Sequence, residues 1–426
     1  MARKVVALLA LSVASAQAED RFVGVAFNTS PLFTYSVNSS GEIALESQTA
    51  QTTFGELIRV DPGGRFVVTF RSPDELDLWR IGVGGLLTLE ASAEPEAPRE
   101  LTQDVALSPD SRILLALTGD PTLPRGDPLR FDFRTFHVNN RLEMDWSGAS
   151  WAPPGGLNLS FDPFLWAISE RLPYTALLSL SSQQLAVLSI SATGEITDTG
   201  QRLATPGLLN VPFDISPDGR WAISGGNTDV VLFEIHPDGT VTLEDTFDPN
   251  GPAIGPNCLR FTPNLNQILI APLVDTVESL AFDETTLLGS VIDSAETGFG
   301  LPEALAVNAA GTMVLVDDQT AGGQFSLASV FLRPDGTLTP TGHTLPKGFK
   351  LADLQFIPPR ALPSLPGDAN LDGVVDAADI VFLVNEALPD DKPILYPPNF
   401  ANADLDQDVD VDQDDLEALV QLLVGE

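Results

Sequence analysis

Cysteine, histidine and basic side chains are all scarce in this chain of 426 residues. The one cysteine, Cys258, excludes an intrachain disulfide. It stands in the apolar run Cys258-Leu259-Arg260-Phe261, which makes it a small buried hydrophobe rather than a nucleophile. Only 22 basic residues face 59 acidic ones, a formal net charge of −37. That deficit excludes the basic footprint of a duplex-binding protein and argues against docking on anionic lipid. No apolar run is long enough to span a membrane. What is plentiful is hydrophobic residues, 43% of the chain, enough for a sizeable core and against global disorder. A chain this acidic either relies on its charge for solubility or holds cations, and the placement of the charge decides between them.

The first residues read as a secretory signal over 1–18. Arg3 and Lys4 form the charged region, Val5 to Ala14 the apolar one, and Ala16-Gln17-Ala18 the small-residue cleavage site. The expectation is a mature chain starting near Glu19 and secreted, to the extracellular space, the cell surface or the periplasm.

The body repeats. An apolar-x-apolar triplet before a turn recurs as Ile58-Arg59-Val60, Val105-Ala106-Leu107, Leu159-Ser160-Phe161, Phe213-Asp214-Ile215, Leu259-Arg260-Phe261, Leu305-Ala306-Val307 and Leu354-Gln355-Phe356. Its spacing averages about 49 residues, and each copy leads into further β-rich runs such as Arg65-Phe66-Val67-Val68. A hairpin carrying Gly-x-apolar follows, as at Gly41, Gly85, Gly194, Gly239 and Gly336. Four strands per unit at this period indicate propeller blades. The N-terminus supplies three strands, near 22–27, 32–37 and 42–45, and lacks an inner one. The seventh triplet arrives with no blade behind it. Pairing the two closes a seven-bladed ring over 19–358 and leaves no long sheet edge exposed.

The Ser-Pro-Asp-Gly-Arg and Pro-Asp-Gly-Thr turns of this ring resemble those of the seven-bladed YVTN or lactonase-like propellers. In the sugar-lactonase branch, that resemblance implies a histidine near the start of an inner strand. His137, His236 and His343 all stand elsewhere.

A proline-rich stretch, 359–366, precedes a different kind of segment over 367–426. Residues 364–426 hold 16 acidic and one basic side chain, so the charge is concentrated there. Oxygen-bearing residues alternate in two loops. Loop one offers Asp368, Asn370, Asp372, Asp376 and Asp379 at positions 1, 3, 5, 9 and 12, with the carbonyl of Val374 at 7. Loop two offers Asp404, Asp406, Asp408, Asp412 and Asp415, with the carbonyl of Asp410 at 7. An oxygen-only set suits two calcium ions; zinc would want nitrogen or sulfur. Gly373 at position 6 of loop one eases the turn, whereas Val409 in loop two resists it, so the second site is expected to be the weaker. Each loop runs into an amphipathic helix, with Ile380, Leu383, Val384 and Leu388 on one apolar face and Leu416, Leu419, Val420 and Leu423 on the other.

Aspartate at position 12 and loop–helix units without an entering helix resemble a type I dockerin, an all-α module. The resemblance covers 367–425 and implies a cohesin-type partner, met through positions 10 and 11, here Ala377-Ala378 and Gln413-Asp414. It also implies a link to extracellular polysaccharide breakdown.

In the ring, the middle residues of the triplets, among them Arg59, Ser160, Asp214, Arg260 and Gln355, are expected to line the channel. Glu56, Asp104, Asn158, Glu303 and Asp353 stand near one mouth, and Glu56, Asp104, Glu303 and Asp353 are the candidate catalytic acids. Two readings of the ring stay open. It is a ligand- or protein-binding platform whose polar residues satisfy one another, or a hydrolase or lyase acting on polysaccharide, with a lactonase-like hydrolase as a further alternative.

Overall fold

Alternation along Phe66-Val67-Val68 sends successive apolar side chains to opposite faces of a strand, so the strand needs a packed partner on both sides. A computed structural model describes residues 19–26, 31–49, 58–71, 75–94, 100–108, 110–120, 122–123, 131–152, 165–168, 174–181, 184–204, 213–225, 229–248, 256–272, 276–296, 302, 304–319, 324–359, 366–370, 375–388, 397–408 and 410–424. The signal-like segment 1–18 lies outside them.

Seven four-stranded antiparallel sheets form a seven-bladed propeller. Blade 1 is Ile58–Val60, Phe66–Arg71, Glu75–Ile81 and Leu87–Ala93, from the inner strand outward. Blade 2 is Glu100–Leu107, Ile113–Gly119, Phe131–Val138 and Met144–Trp151; blade 3 is Leu165–Ile168, Tyr174–Ser181, Gln184–Ile190 and Ile196–Ala204. Blade 4 begins at Phe213–Ile215 and ends at Val241–Phe247, blade 5 at Pro256–Phe261 and Leu287–Glu296, blade 6 at Ala304–Val307 and Leu338–Lys347. Blade 7 closes the ring: Leu351–Ile357 pairs with Asp20–Ala26, which leads to Leu32–Val37 and Ile43–Gln48.

Seven apolar clusters account for the closure, one at each blade-to-blade interface. Phe66 and Val68 pack toward blade 2, while Val67 between them packs toward blade 7 with Val23, Val25 and Ile357. Trp221 and Ile223 likewise face blade 5, and Ala222 faces blade 3. Cys258 is buried in the cluster joining blades 5 and 6, and burial pushes its thiol up to about 12. That suits the inert hydrophobe expected of it.

One blade departs from the sequence reading. The inner strand of blade 3 is Leu165–Ile168, whereas the triplet Leu159-Ser160-Phe161 lies outside the described residues. Two apolar runs flank Asp162-Pro163, and the triplet rule picked the earlier one. Strand periodicity alone cannot rank them.

The ring closes tightly at Gly64. Its φ is +68, and a Cβ there would stand 2.0 Å from the Pro358 carbonyl oxygen. Gly64→Ala is therefore expected to cost about 2 kcal/mol or more, through both the left-handed backbone and the clash. Urea unfolding of the variant checks this.

Beyond the ring, helix α1 (Ala377–Phe382) continues as a π-type turn over Leu383–Ala387. Helix α2 is Pro397–Ala403 and α3 is Gln413–Val424. Their own core joins Ala369, Leu383, Ala387, Phe400, Ala403, Val411 and Leu419. Two expectations change here. Val384 and Val420 are exposed rather than packed in the core. In the first helix the π-type turn shifts the helical phase, so Leu383 stays inward as expected while Ala387 rather than Val384 joins it. Helix α2 also enters loop two directly, with Pro397 at its first position, where a missing N–H costs nothing.

The helical part packs on blades 1 and 2. Asn140 donates to the Ala387 carbonyl at 3.1 Å and its own carbonyl accepts the Val411 N–H at 3.1 Å. Arg141 donates to the Leu388 carbonyl at 2.9 Å, and Arg65 stacks on the Phe400 ring at 4.6 Å.

Candidate metal centre and ring channel

The two acidic loops share one hydrogen-bond plan. A shift of 36 residues maps Asp368 onto Asp404 and Asp379 onto Asp415. In loop one, Asp379 accepts the Asn370 N–H at 3.2 Å and the Asp376 N–H at 2.9 Å. In loop two, Asp415 accepts the matching amides of Asp406 at 3.3 Å and Asp412 at 2.8 Å. Position 9 caps the following helix in both, Asp376 taking the Ala378 N–H at 2.6 Å and Asp412 the Asp414 N–H at 2.7 Å. Asp379 and Asp415 are fully buried.

Asp404, Asp406 and Asp408 each place an oxygen within 4.8 Å of the others, and so do Asp410, Asp412 and Asp415. These groups could hold a metal ion. Electrostatics supports the fit. Burial pushes the Asp415 carboxyl up to about 7 despite the three amides it accepts, and burial also raises Asp406 and Asp410, with Asp408 and Asp412 adding repulsion. Asp410 Oδ1 is buried without a hydrogen-bond partner among the described residues. A buried carboxylate oxygen of this kind favours a cation beside it. Of loop one, Asp368, Asn370, Asp376 and Asp379 are described, while Asp372 and Val374 lie outside. Gly373 and Val409 lie outside too, but Gln407 takes a left-handed φ of 62, a strained turn in the loop expected to be weaker.

A third oxygen–nitrogen group, Glu234, His236 and Glu244, lies at the outer strands of blade 4. Glu234 is already paired with Arg220 at 2.9 Å, and His236 Nε2 meets Thr242 Oγ1 at 2.8 Å.

At the ring axis, each inner strand leaves N–H and C=O groups on an edge that no further strand covers. Polar side chains from neighbouring blades meet them. Asp353 Oδ2 accepts the Ile58 N–H at 3.2 Å, and Gln355 both accepts from Val60 N–H at 3.1 Å and donates to the Ile58 carbonyl at 2.6 Å. Asp214 does the same between blades 4 and 5, accepting the Phe261 N–H at 2.7 Å. Two arginines converge on Asp353: Arg59 at 3.4 Å from blade 1 and Arg260 at 3.4 Å from blade 5, which reaches across the axis.

Arg59, Asp214, Arg260 and Gln355 are thus brought together with Asp353 as one network. Asp353 sits within the closing strand, opposite Val25, rather than upstream of it at a mouth. The Ile58 amide, two guanidinium groups and Gln355 already meet its carboxylate. Asp104 belongs to the irregular part of the blade 2 inner strand. Glu56, Asn158, Ser160 and Glu303 lie outside the described residues. The middle residues Ala106 and Ala306 pack between blades instead of facing the channel, because a small apolar side chain gains more there.

Among the described residues, Asp214 is the channel acid with a large shift. Burial raises it to about 6, against the pull of Arg260, the Phe261 and Ile215 amides and Arg59. A raised folded value means the unfolded chain releases this proton first. Stability should therefore fall as pH rises from about 4 to about 6. Asp214→Asn keeps an acceptor for the Phe261 N–H and is expected to flatten that slope, as thermal melts across this range would report.

No family model matches the chain, and no curated protein matches it. Solved structures do match. The periplasmic gluconolactonase of Pseudomonas aeruginosa shares 15% identity at a TM-score of 0.65, over 80% of this chain and 99% of that one. A Lactobacillus plantarum protein shares 11% at 0.63, over 80% and 99%. A Bacteroides fragilis protein, provisionally described as a 6-phosphogluconolactonase, shares 16% at 0.62, over 81% and 99%. These likenesses show the fold. The ring is a seven-bladed propeller with lactonase-like structural neighbours.

The clasp of Asn140 and Arg141 on the helical part had no sequence signal, since its partners Ala387, Leu388 and Val411 stand more than 200 residues away.

Proposed function

We propose that this chain is a secreted docking protein whose C-terminal module binds two calcium ions and presents a dockerin-like face to a cohesin-type partner, with the propeller as its ligand- or protein-binding cargo. The observation that carries this reading is the shared hydrogen-bond plan of the two loops, in which Asp379 and Asp415 each tie positions 3 and 9 of their loop together. Calcium bound there would offset carboxylates that otherwise repel one another, using Asp368, Asn370, Asp376 and Asp379 in one loop and Asp404, Asp406, Asp408, Asp412 and Asp415 in the other. Packing on the ring supports the docking reading, because it leaves Ala377, Ala378, Gln413 and Asp414 exposed, together with the repeat-related pair Val384 and Val420. Export would follow from the 1–18 signal, and a role in extracellular polysaccharide breakdown from the dockerin resemblance.

Calorimetric titration of the full chain with calcium tests the reading. Two sites are expected. Asp368→Ala should remove one, Asp404→Ala the other, and the double variant both. Full calcium binding by the double variant would overturn the assignment.

A second reading rests on Asp214, whose raised carboxyl stands beside two arginines in the channel. It makes the ring a hydrolase of glycosidic or lactone bonds. Turnover of a polysaccharide or sugar-lactone panel, lost in Asp214→Asn, would favour it. The saturated state of Asp353 favours the binding platform.

A further inference from the structure

Loop two already meets a cation supplied by the ring. Arg80, on the third strand of blade 1, brings Nη2 to 2.6 Å from Asp410 Oδ2 and Nη1 to 3.5 Å from Asp408 Oδ2. Nη1 also donates to the Asp408 carbonyl, and Nε lies 3.1 Å from Glu90 Oε1. The guanidinium is largely shielded and Asp410 more so, at 18% and 11% side-chain exposure. This is a built contact rather than a passing surface pair.

The loop positions give the contact its meaning. Asp410 stands at position 7, where the calcium scheme calls on the backbone carbonyl, so its carboxylate is outside that scheme although it lies within 4.8 Å of those of Asp412 and Asp415. Asp408 stands at position 5, where the carboxylate is a ligand. Arg80 therefore holds one carboxylate outside the calcium scheme and one inside it. In loop one, position 7 is Val374, which has no carboxylate to hold an arginine. The asymmetry is written in the sequence.

We propose that Arg80 is an intramolecular competitor: it keeps loop two a weak calcium site while the module is clasped to the ring, and calcium entering loop two loosens that clasp. The proposal rests on the calcium reading of the module. Two effects act in the same direction. The guanidinium engages the Asp408 oxygen, and its positive charge repels a second cation a few ångströms away. Linkage makes the effect reciprocal, since whatever Arg80 takes from calcium affinity, calcium takes from the Arg80 contact. Glu90 keeps Arg80 partnered when it lets go, which lowers the cost of release.

The test is a calcium titration by calorimetry on the full chain, comparing wild type with Arg80→Met and Arg80→Lys at one fixed ionic strength. Methionine keeps much of the stem and removes the charge. The weaker site should tighten roughly three- to tenfold in Arg80→Met, the range of a partly shielded ion pair, with the tighter site unchanged. Arg80→Lys should fall between, since one ammonium cannot bridge both groups. The site that moves must be the one that Asp404→Ala removes. Two unchanged sites in both variants, or a weaker second site, would overturn the competitor role and leave the calcium reading standing. Absence of any calcium binding in wild type would overturn both. If Arg80→Met does not fold, Arg80→Lys carries the comparison.

Discussion

Chelation of calcium from the full chain should unfold α1 and α3 while the propeller stays intact. The expected record is a loss of helical circular dichroism at 222 nm, with the strand signal unchanged and a separate, higher melting transition for the ring. The reason lies in the proportions of the module. Its core is small, joining seven buried residues from Ala369 to Leu419, and the loops that frame it are crowded with carboxylates. Ligand that binds only the folded form adds stability by mass action, about 4 kcal/mol at a thousandfold excess over the dissociation constant. For a domain of this size that is a large share of the total. Asp379 and Asp415 are the most sensitive positions, because each is fully buried, ties its loop together and stands at position 12 of the proposed calcium scheme. A module whose helices survive chelation unchanged would mean that calcium is not part of its fold.

The second large effect belongs to Asp61 in blade 1. Its carboxylate accepts the Arg65 amide at 3.0 Å, Nε at 2.8 Å and Nη2 at 2.8 Å, and also takes the Ser111 hydroxyl from blade 2. Burial alone would raise this carboxyl, but Arg65 and Ser111 outweigh it and hold the group below its usual value. Asp61→Ala leaves a guanidinium buried without its anion, and such a loss costs about 3–5 kcal/mol. Because Arg65 also stacks on Phe400, the variant should loosen the module as well as the ring. Chemical denaturation would show the earlier midpoint. The pH dependence has a definite sign. A depressed folded value means the contribution is fully present above the ordinary aspartate range near 4 and is lost as the pH falls through the lower folded value. Wild type should therefore lose more stability on acidification than Asp61→Ala does.

The ring was legible because its signal is repeated and local. Each triplet, turn and Gly-x-apolar hairpin restates the same unit, and Gly41, Gly194, Gly239 and Gly336 do take positive φ. Closure could be read from an imbalance, three strands at one end and one at the other. In blade 3 two apolar runs competed for one role, and the described inner strand is the later of them. The channel was only half legible. Alternation puts Arg59, Asp214, Arg260 and Gln355 on one face, but it cannot show that Asp353 sits among them or that their first task is to satisfy an open strand edge. In the C-terminal module the loop positions were readable because ligand spacing is a sequence property. The exposed Val384 was not, since it lies in a π-type turn that changes the period on which a helical face is computed, and nothing in the period marks Val420, beside the buried Leu419, as exposed. The Arg80 clasp depends on contacts between residues more than 300 positions apart, which no local pattern encodes.

The most direct test of the central claim is crystallographic. Crystals grown with calcium, measured for its anomalous signal, should show one peak in each loop of the C-terminal module, about 2.3–2.6 Å from the carboxylate oxygens of Asp368 to Asp379 and of Asp404 to Asp415. Peaks in neither loop, with the module folded, would contradict the account.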